Sequence, residues 1–204
     1  VQGISWREVT VTGQSNHAGT TPIRLRRDAG LAAARIAVFL RELADRYGGD
    51  QVCTVGKVDV FPNLVNVVAA RAVLTLDVRN TDEILLRRAE SEIDDFLRHV
   101  ERTDGVSITE RRLARFEPVE FDERVVSMVE RLAVEAGCSV MRMPSGAGHD
   151  AQMLARTCPT GMIFVPSARG ISHNPAEHTD PGDIEAGANL LLATMLELAH
   201  TDFA

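Results

Sequence analysis

Cysteine and positive charge are both scarce in this chain. The three cysteines, Cys53, Cys138 and Cys158, are odd in number, far apart and without a Cys-x-x-Cys pair. That excludes a disulfide framework and a thiolate zinc site and fits a reduced, cytoplasmic setting. Lys and Arg number 22 against 29 Asp and Glu, a net charge of −7 with a pI near 5.4. The sign argues against nucleic acid or an anionic membrane as partner, since either needs a basic face. No apolar run approaches the ~20 residues that span a bilayer, and internal repeats and low-complexity tracts are missing. Neither a nucleophile–base dyad nor an HExxH zinc helix is visible. The start, Val1-Gln2-Gly3-Ile4, has no Met and no signal-peptide character and runs straight into strand-like sequence. We expect a segment of something longer, with a processed start as the plain alternative.

What is there is ordinary for a globular protein: 204 residues, 45% hydrophobic and 25% charged, enough for two domains of roughly 100 residues each. Ile4 to Thr12 alternates Val9 and Val11 with Thr10 and Thr12, a strand signature. From Asp28 to Tyr47 the spacing of Ile36, Phe39, Leu40 and Leu43 predicts an amphipathic helix, stopped by Gly48-Gly49. Period two returns over Val52 to Phe61 and again over Ala72 to Arg79. Thr81 is the expected N-cap of a second helix carrying Ala89, Ile93, Phe96, Leu97 and Val100 and ending near Asp104-Gly105. Val106 to Phe116 is a fourth strand. The order β-α-β-β-α-β is the split βαβ plan, a four-stranded antiparallel sheet with both helices on one face and the other face left to solvent, a subunit or a domain.

The pattern resets near Glu117-Pro118, so a domain boundary is placed there, giving residues 1–117 and 118–204. Asp122 to Ala136 is a helix with Val125, Met128, Val129, Leu132 and Ala133 inward. Ser139 to Met143 is a short expected strand, and Gly161 to Val165, a continuous apolar run, is expected to be a fully buried one. A last helix begins at Asp180-Pro181, with Ile184, Ala188, Leu191, Leu192 and Met195 along one side. Two strands are few for an α/β sheet, and the second half is therefore expected to be an incomplete layer.

Four loops carry candidate chemistry. Gln14 to Pro22 joins the first strand to the first helix and holds His17, which no apolar pattern explains. Pro62 to Asn66 reads as a hairpin turn. Ser145 to Asp150 is Gly-rich and has backbone N–H groups to offer an oxyanion, but it lacks the Lys and Ser/Thr of a P-loop. Gly170 to Asp180 carries His173 and His178; His173, in a loop stiffened by Pro175, is the candidate metal ligand. A catalytic zinc takes about three protein ligands, so His173 does not make a site alone. His178, His99 and His200 read as surface histidines.

Five segments in order resemble one family: Trp6 to Thr12 running into His17-Ala18-Gly19-Thr20-Thr21-Pro22 and Arg26-Arg27-Asp28; Pro62-Asn63 to Asn66-Val67-Val68; Asp77-Val78-Arg79; Gly146 to Ala151; and Ser172 to Glu177. The chain is similar to the C-terminal half of dinuclear-metal amidohydrolases such as N-carbamoyl-L-amino-acid hydrolase, allantoate amidohydrolase and β-ureidopropionase, relatives of the zinc aminoacylases and carboxypeptidases. The resemblance implies a ferredoxin-like lid and dimerisation domain followed by part of a larger α/β metal-binding domain. It also implies a homodimer and, in the full-length enzyme, two divalent ions, zinc or manganese, which this portion alone does not necessarily bind. Carried over by position, His173 is a metal ligand, and His17 reaches into the partner subunit's site to stabilise an oxyanion. Asn66 and Arg79 bind substrate, Arg79 through its carboxylate, and Gly148 and His149 contact it from the catalytic domain. The implied reaction is metal-assisted hydrolysis of a non-peptide C–N bond in a carbamoyl or ureido acid. The family's other metal ligands and its glutamate base lie upstream of Val1, so this chain alone is expected to be inactive. Two small departures are Ala69, where the family has proline, and His178, where an aromatic is usual. An aminoacylase or peptidase of the wider family and a non-catalytic dimerisation module are the alternatives.

Overall fold

In the computed structural model, which describes residues 1–201, period-two segments pair as strands and period-3.6 segments coil. The order is β1 (Gly3–Thr12), β2 (Asn16–His17), α1 (Ala29–Tyr47), β3 (Val52–Phe61), β4 (Val67–Val68), β5 (Arg71–Asn80), α2 (Glu83–Asp104), β6 (Ser107–Phe116), α3 (Glu123–Glu135), α4 (Ala151–Leu154) and α5 (Pro181–Leu198). The chain is thus of mixed α/β class. It forms two units, Gln2–Pro118 and, separately, Val1 with the chain from Val119 onward.

In the Gln2–Pro118 unit the sheet order is β3-β5-β1-β6, antiparallel throughout, the ferredoxin-like βαββαβ arrangement. Alternation puts Ala72, Leu74, Leu76 and Val78 of β5 on the helix side, none more than 1% exposed. They meet Ile36, Leu40 and Leu43 of α1 and Leu86, Ala89, Ile93, Leu97 and Val100 of α2 in one core. Each such large side chain contributes about 1.5–3 kcal/mol by leaving water. The two helices touch through stacked Phe39 and Phe96, ring centroids 3.9 Å apart. Asp28 caps α1 by accepting the Gly30 and Leu31 N–H groups at 3.0 and 3.1 Å. The cap of α2 differs from expectation. Asp82, not Thr81, accepts from Ile84 and Leu85, and Thr81 donates its hydroxyl to Asp50 at 2.7 Å. The helix starts one residue later, where a carboxylate can reach both orphan amides.

Two helix-facing positions of β1, Ser5 and Arg7, break the apolar pattern. Arg7 is 9% exposed and lies among Asp94, Glu110 at 3.2 Å and Glu90 at 3.8 Å. Arg115 of β6 also pairs with Glu90 at 2.9 Å and with Glu83 at 2.8 Å. Next to Arg7 the β1·β6 register shifts, because Leu113 is an extra residue on β6. This ionic layer joins β1, β6 and α2 where the hydrophobic core ends.

In the unit from Val119, α3 packs on α5. The expected strands at 139–143 and 161–165 are instead irregular segments outside any strand ladder. A strand exists by pairing, and among the described residues no strand lies beside either. The expected burial of the second segment also fails, since Phe164 is 49% and Val165 40% exposed. It does pack on helices. A Cβ on Gly161 would lie 2.9 Å from Val125 Cγ1, and one on Gly187 would lie 2.4 Å from Val165 Cγ1, which is why α5 carries a glycine in its interior. The apolar side of α5 is open: Ile184, Leu191, Leu192 and Met195 are all more than half exposed, while Thr194 is buried. No helix among the described residues is long and apolar enough to cross a membrane.

Candidate functional site

His17 sits on a stapled arm. β1 leaves the sheet through Gly13, whose N–H donates to the Ala70 carbonyl at 2.7 Å and where a Cβ would lie 2.1 Å from the Arg27 carbonyl oxygen. Gln14 N–H donates to that Arg27 oxygen at 2.8 Å. The chain then forms β2, which pairs antiparallel with β4, His17 opposite Val67 and Asn16 opposite Val68. Sequence periodicity could not show this ribbon, because two residues per strand carry no alternation. The loop that leads from β3 into β4, Pro62 to Asn66, follows a cis Phe61–Pro62 bond and has Asn63 at φ 53°. Ala18 N–H donates to the Asn66 carbonyl at 2.9 Å. The ribbon therefore brings His17 and Asn66 together, and both side chains are exposed.

Arg79 is elsewhere. It lies near the far end of β5 from Arg71, which pairs with Thr12 and Phe61 where the ribbon leaves the sheet. Eight residues of strand separate the two arginines, on the order of 26 Å at ~3.3 Å per residue. Arg79 is on the sheet face away from the helices, as its buried neighbours Val78 and Asn80 require. Asp77, two residues back on the same face, accepts from its Nε at 2.9 Å and Nη2 at 2.7 Å. The guanidinium carbon stands 5.7 Å from the Trp6 ring centroid. The hydrogen bond to Asp77 holds the guanidinium even more firmly charged than usual. Asp77 and Trp6 are neighbours that sequence reasoning did not assign, although period two already put Asp77 beside Arg79.

In the other unit, Gly148 and His149 are exposed in the loop before α4. Ser145, 4% exposed, donates to the Ala147 carbonyl at 2.9 Å and accepts its N–H at 3.3 Å. His149 Nδ1 accepts the Ala151 N–H at 3.0 Å, which leaves Nε2 as its outward donor. His173 is exposed with φ 56°, a left-handed conformation, and its N–H donates to Glu177 at 2.8 Å. His178 pairs with Asp180 at 3.2 Å. Among the described residues no three His, Cys, Asp or Glu side chains converge as a metal site. The donor set here therefore does not by itself fit a metal ion.

Comparison with known proteins gives this arrangement a context. The profile described as peptidase family M20/M25/M40 matches residues 8–197. An allantoate amidohydrolase of Escherichia coli (strain K12) is 40% identical over 191 residues, 94% of this chain and 46% of that protein. An N-carbamoyl-L-amino acid amidohydrolase of Geobacillus stearothermophilus is 37% identical over 200 residues, 98% of this chain and 49% of that one. The crystal structure of an amidase of the hydantoinase/carbamoylase family from Burkholderia vietnamiensis superposes with a TM-score of 0.93 at 38% identity, covering 97% of this chain and 48% of its own. The chain thus spans about half the length of the curated relatives it matches. On the profile match, this chain belongs to peptidase family M20/M25/M40.

Proposed function

We propose that this chain is the lid and part of the catalytic domain of a divalent-metal amidohydrolase that cleaves a non-peptide C–N bond in an N-carbamoyl-L-amino acid or a ureido acid such as allantoate. In this reading residues 1–117 are the lid and dimerisation domain, and residues 118–204 belong to the metal-binding domain. The names of the matched relatives support the substrate class. His173 is the one metal ligand this portion supplies toward two ions, zinc or manganese.

The chemistry assigned to these side chains is binding and charge stabilisation. Arg79 forks onto the substrate carboxylate, as a planar guanidinium does well. His17, with Asn66 beside it, donates to the oxyanion of the tetrahedral intermediate. Gly148 N–H and His149 Nε2–H bind from the catalytic domain.

The observation that carries the reading is the separation within one lid. His17 and Asn66 stand at one end of a ten-residue strand and Arg79 near the other, far too distant for one small substrate to touch both. A two-fold dimer resolves this by letting His17 and Asn66 of one copy complete the site that holds Arg79 of the other.

Mixing two inactive variants of the complete enzyme tests it. His17→Ala and Arg79→Ala are each expected to abolish turnover. Equal amounts, dissociated and reassociated, should recover about a quarter of wild-type activity, because half the dimers are mixed and each has one intact site of two. No recovery on mixing refutes the shared site, and full activity of either single variant refutes its role.

A further inference from the structure

The hydrogen bonds around His17 fix more than its position. Its Nδ1 accepts the N–H of Gly19 at 2.9 Å and of Thr20 at 3.2 Å. A ring nitrogen that accepts carries no proton, so the neutral imidazole has its hydrogen on Nε2. The apolar core does not hold this loop in shape, because Asn16, His17, Gly19 and Thr20 are all exposed. Its order rests on polar contacts, and a single side chain supplies two of them. Arg26 Nε donates to the Thr21 carbonyl at 3.0 Å and its Nη2 to the Ala18 carbonyl at 2.5 Å. Those two carbonyls bracket Gly19 and Thr20. Thr21 N–H closes the loop onto the His17 carbonyl at 3.2 Å. A planar fork reaching two carbonyls constrains the turn between them more than a point charge does.

We infer that Arg26 is a positioning residue for His17: by clamping the Ala18 and Thr21 carbonyls it keeps the Gly19 and Thr20 amides on Nδ1 and presents His17 as a fixed Nε2–H donor. The catalytic consequence rests on the reading of His17 given above, whereas the clamp rests on hydrogen bonds alone. A merely structural arginine would affect the whole unit. This one acts on a loop outside the core, and its loss is felt first at two amides and one ring.

The experiment uses this chain with Arg26→Met, followed by amide hydrogen exchange and nitrogen-detected NMR of His17 at about pH 8, above the ordinary imidazole range. In the unaltered chain His17 shows the Nε2–H tautomer alone. The Gly19 and Thr20 amides exchange at least ~10-fold more slowly than in His17→Ala, which lacks the acceptor. Arg26→Met drops their protection to the His17→Ala level and lets both tautomers appear, while the core amides of Leu74 and Leu76 keep theirs. Unchanged protection with a single tautomer in Arg26→Met overturns the inference, as does an Nδ1–H tautomer in the unaltered chain. Should the core amides also lose protection, Arg26→Lys is read in the same way, since it keeps the cation and loses the fork. Gly19→Ala is a second, independent perturbation, because its Cβ would lie 3.2 Å from His17 Cε1. It is expected to loosen the same two amides. In the complete enzyme, Arg26→Met lowers kcat on the order of 10- to 100-fold with little change in KM, the size expected when a catalytic group loses alignment. If His17→Ala left turnover intact while Arg26→Met still freed the two amides, the oxyanion role would fail and the clamp would stand.

Discussion

Arg7→Met keeps the aliphatic stem of a buried residue and removes its charge from a pocket of three carboxylates. The stem stays packed, so the loss is electrostatic. Asp94 and Glu110 are 39% and 35% exposed and regain water, so each pairing contributes only about 0–1 kcal/mol. Glu90, 14% exposed, cannot rehydrate and is left with Arg115 alone. Breaking a fully buried pair costs about 3–5 kcal/mol, and a surviving partner reduces that. We expect a loss of about 2–3 kcal/mol, equivalent to a fall in Tm of about 10 °C for a unit of this size.

Urea unfolding followed by the single tryptophan, Trp6, and by circular dichroism measures it. The effect also has a pH signature. Burial pushes the Glu90 carboxyl up, but the adjacent Ser5 hydroxyl, hydrogen bonding from Arg115 and the charges of Arg115 and Arg7 together outweigh burial, and the net shift is downward. A carboxyl with a lowered folded pKa stabilises the fold above the ordinary glutamate value, and that stability is lost as pH falls through the folded value. The gap between the original chain and Arg7→Met should therefore be widest near neutrality and narrow as pH drops through the carboxylate range. A loss below about 0.5 kcal/mol at neutral pH, or a gap that widens in acid, refutes the reasoning.

Three further outcomes are expected. Burial pushes the Cys53 thiol up to about 11, so at about pH 8 a thiol reagent should modify exposed Cys158 and leave Cys53 intact until the unit unfolds; mass spectrometry of peptides reads the order. The single tyrosine, Tyr47, is pushed up to about 12 by burial and by its hydrogen bond to Glu92. Ultraviolet titration should show it ionising late, and the stability tied to its bound proton should be complete below about pH 10 and lost as pH rises toward 12. Gly13→Ala forces a Cβ against the Arg27 backbone oxygen, and denaturation should register about 1–3 kcal/mol of strain; a neutral result would mean the arm can shift freely.

Wherever a full element repeats its period, the fold could be read from the residues. Ala72, Leu74, Leu76 and Val78 are buried in strict alternation, and Ile36, Leu40 and Leu43 mark the inner face of α1. Reading failed where the period is too short or the partner is absent. β2 and β4 have two residues each and exist only by pairing with each other. The apolar run Gly161 to Val165 has the composition of a central strand, but composition cannot supply the neighbour that a ladder needs. Arg7 broke the pattern because ions can substitute for apolar atoms at the rim of a core when they arrive together, and its partners are 83 to 103 residues away. For the candidate site, the family resemblance, not the residues' own pattern, singled out His17, Asn66 and Arg79. That two of them share a ribbon and the third lies along the strand from them needed the topology.

The stapled arm has a thermodynamic consequence for any encounter in which His17 meets its target. Ordering one residue's backbone costs roughly 1–2 kcal/mol in lost freedom. Within Asn16 to Thr20, β2 is already paired with β4, the Ala18 amide with Asn66, the Gly19 and Thr20 amides with the His17 ring, and the His17 and Ala18 carbonyls with Thr21 and Arg26 before anything arrives. Five residues' worth, on the order of 5–10 kcal/mol, is thus absent from the free energy of association, and an exposed loop presents its histidine with the entropy of a rigid surface.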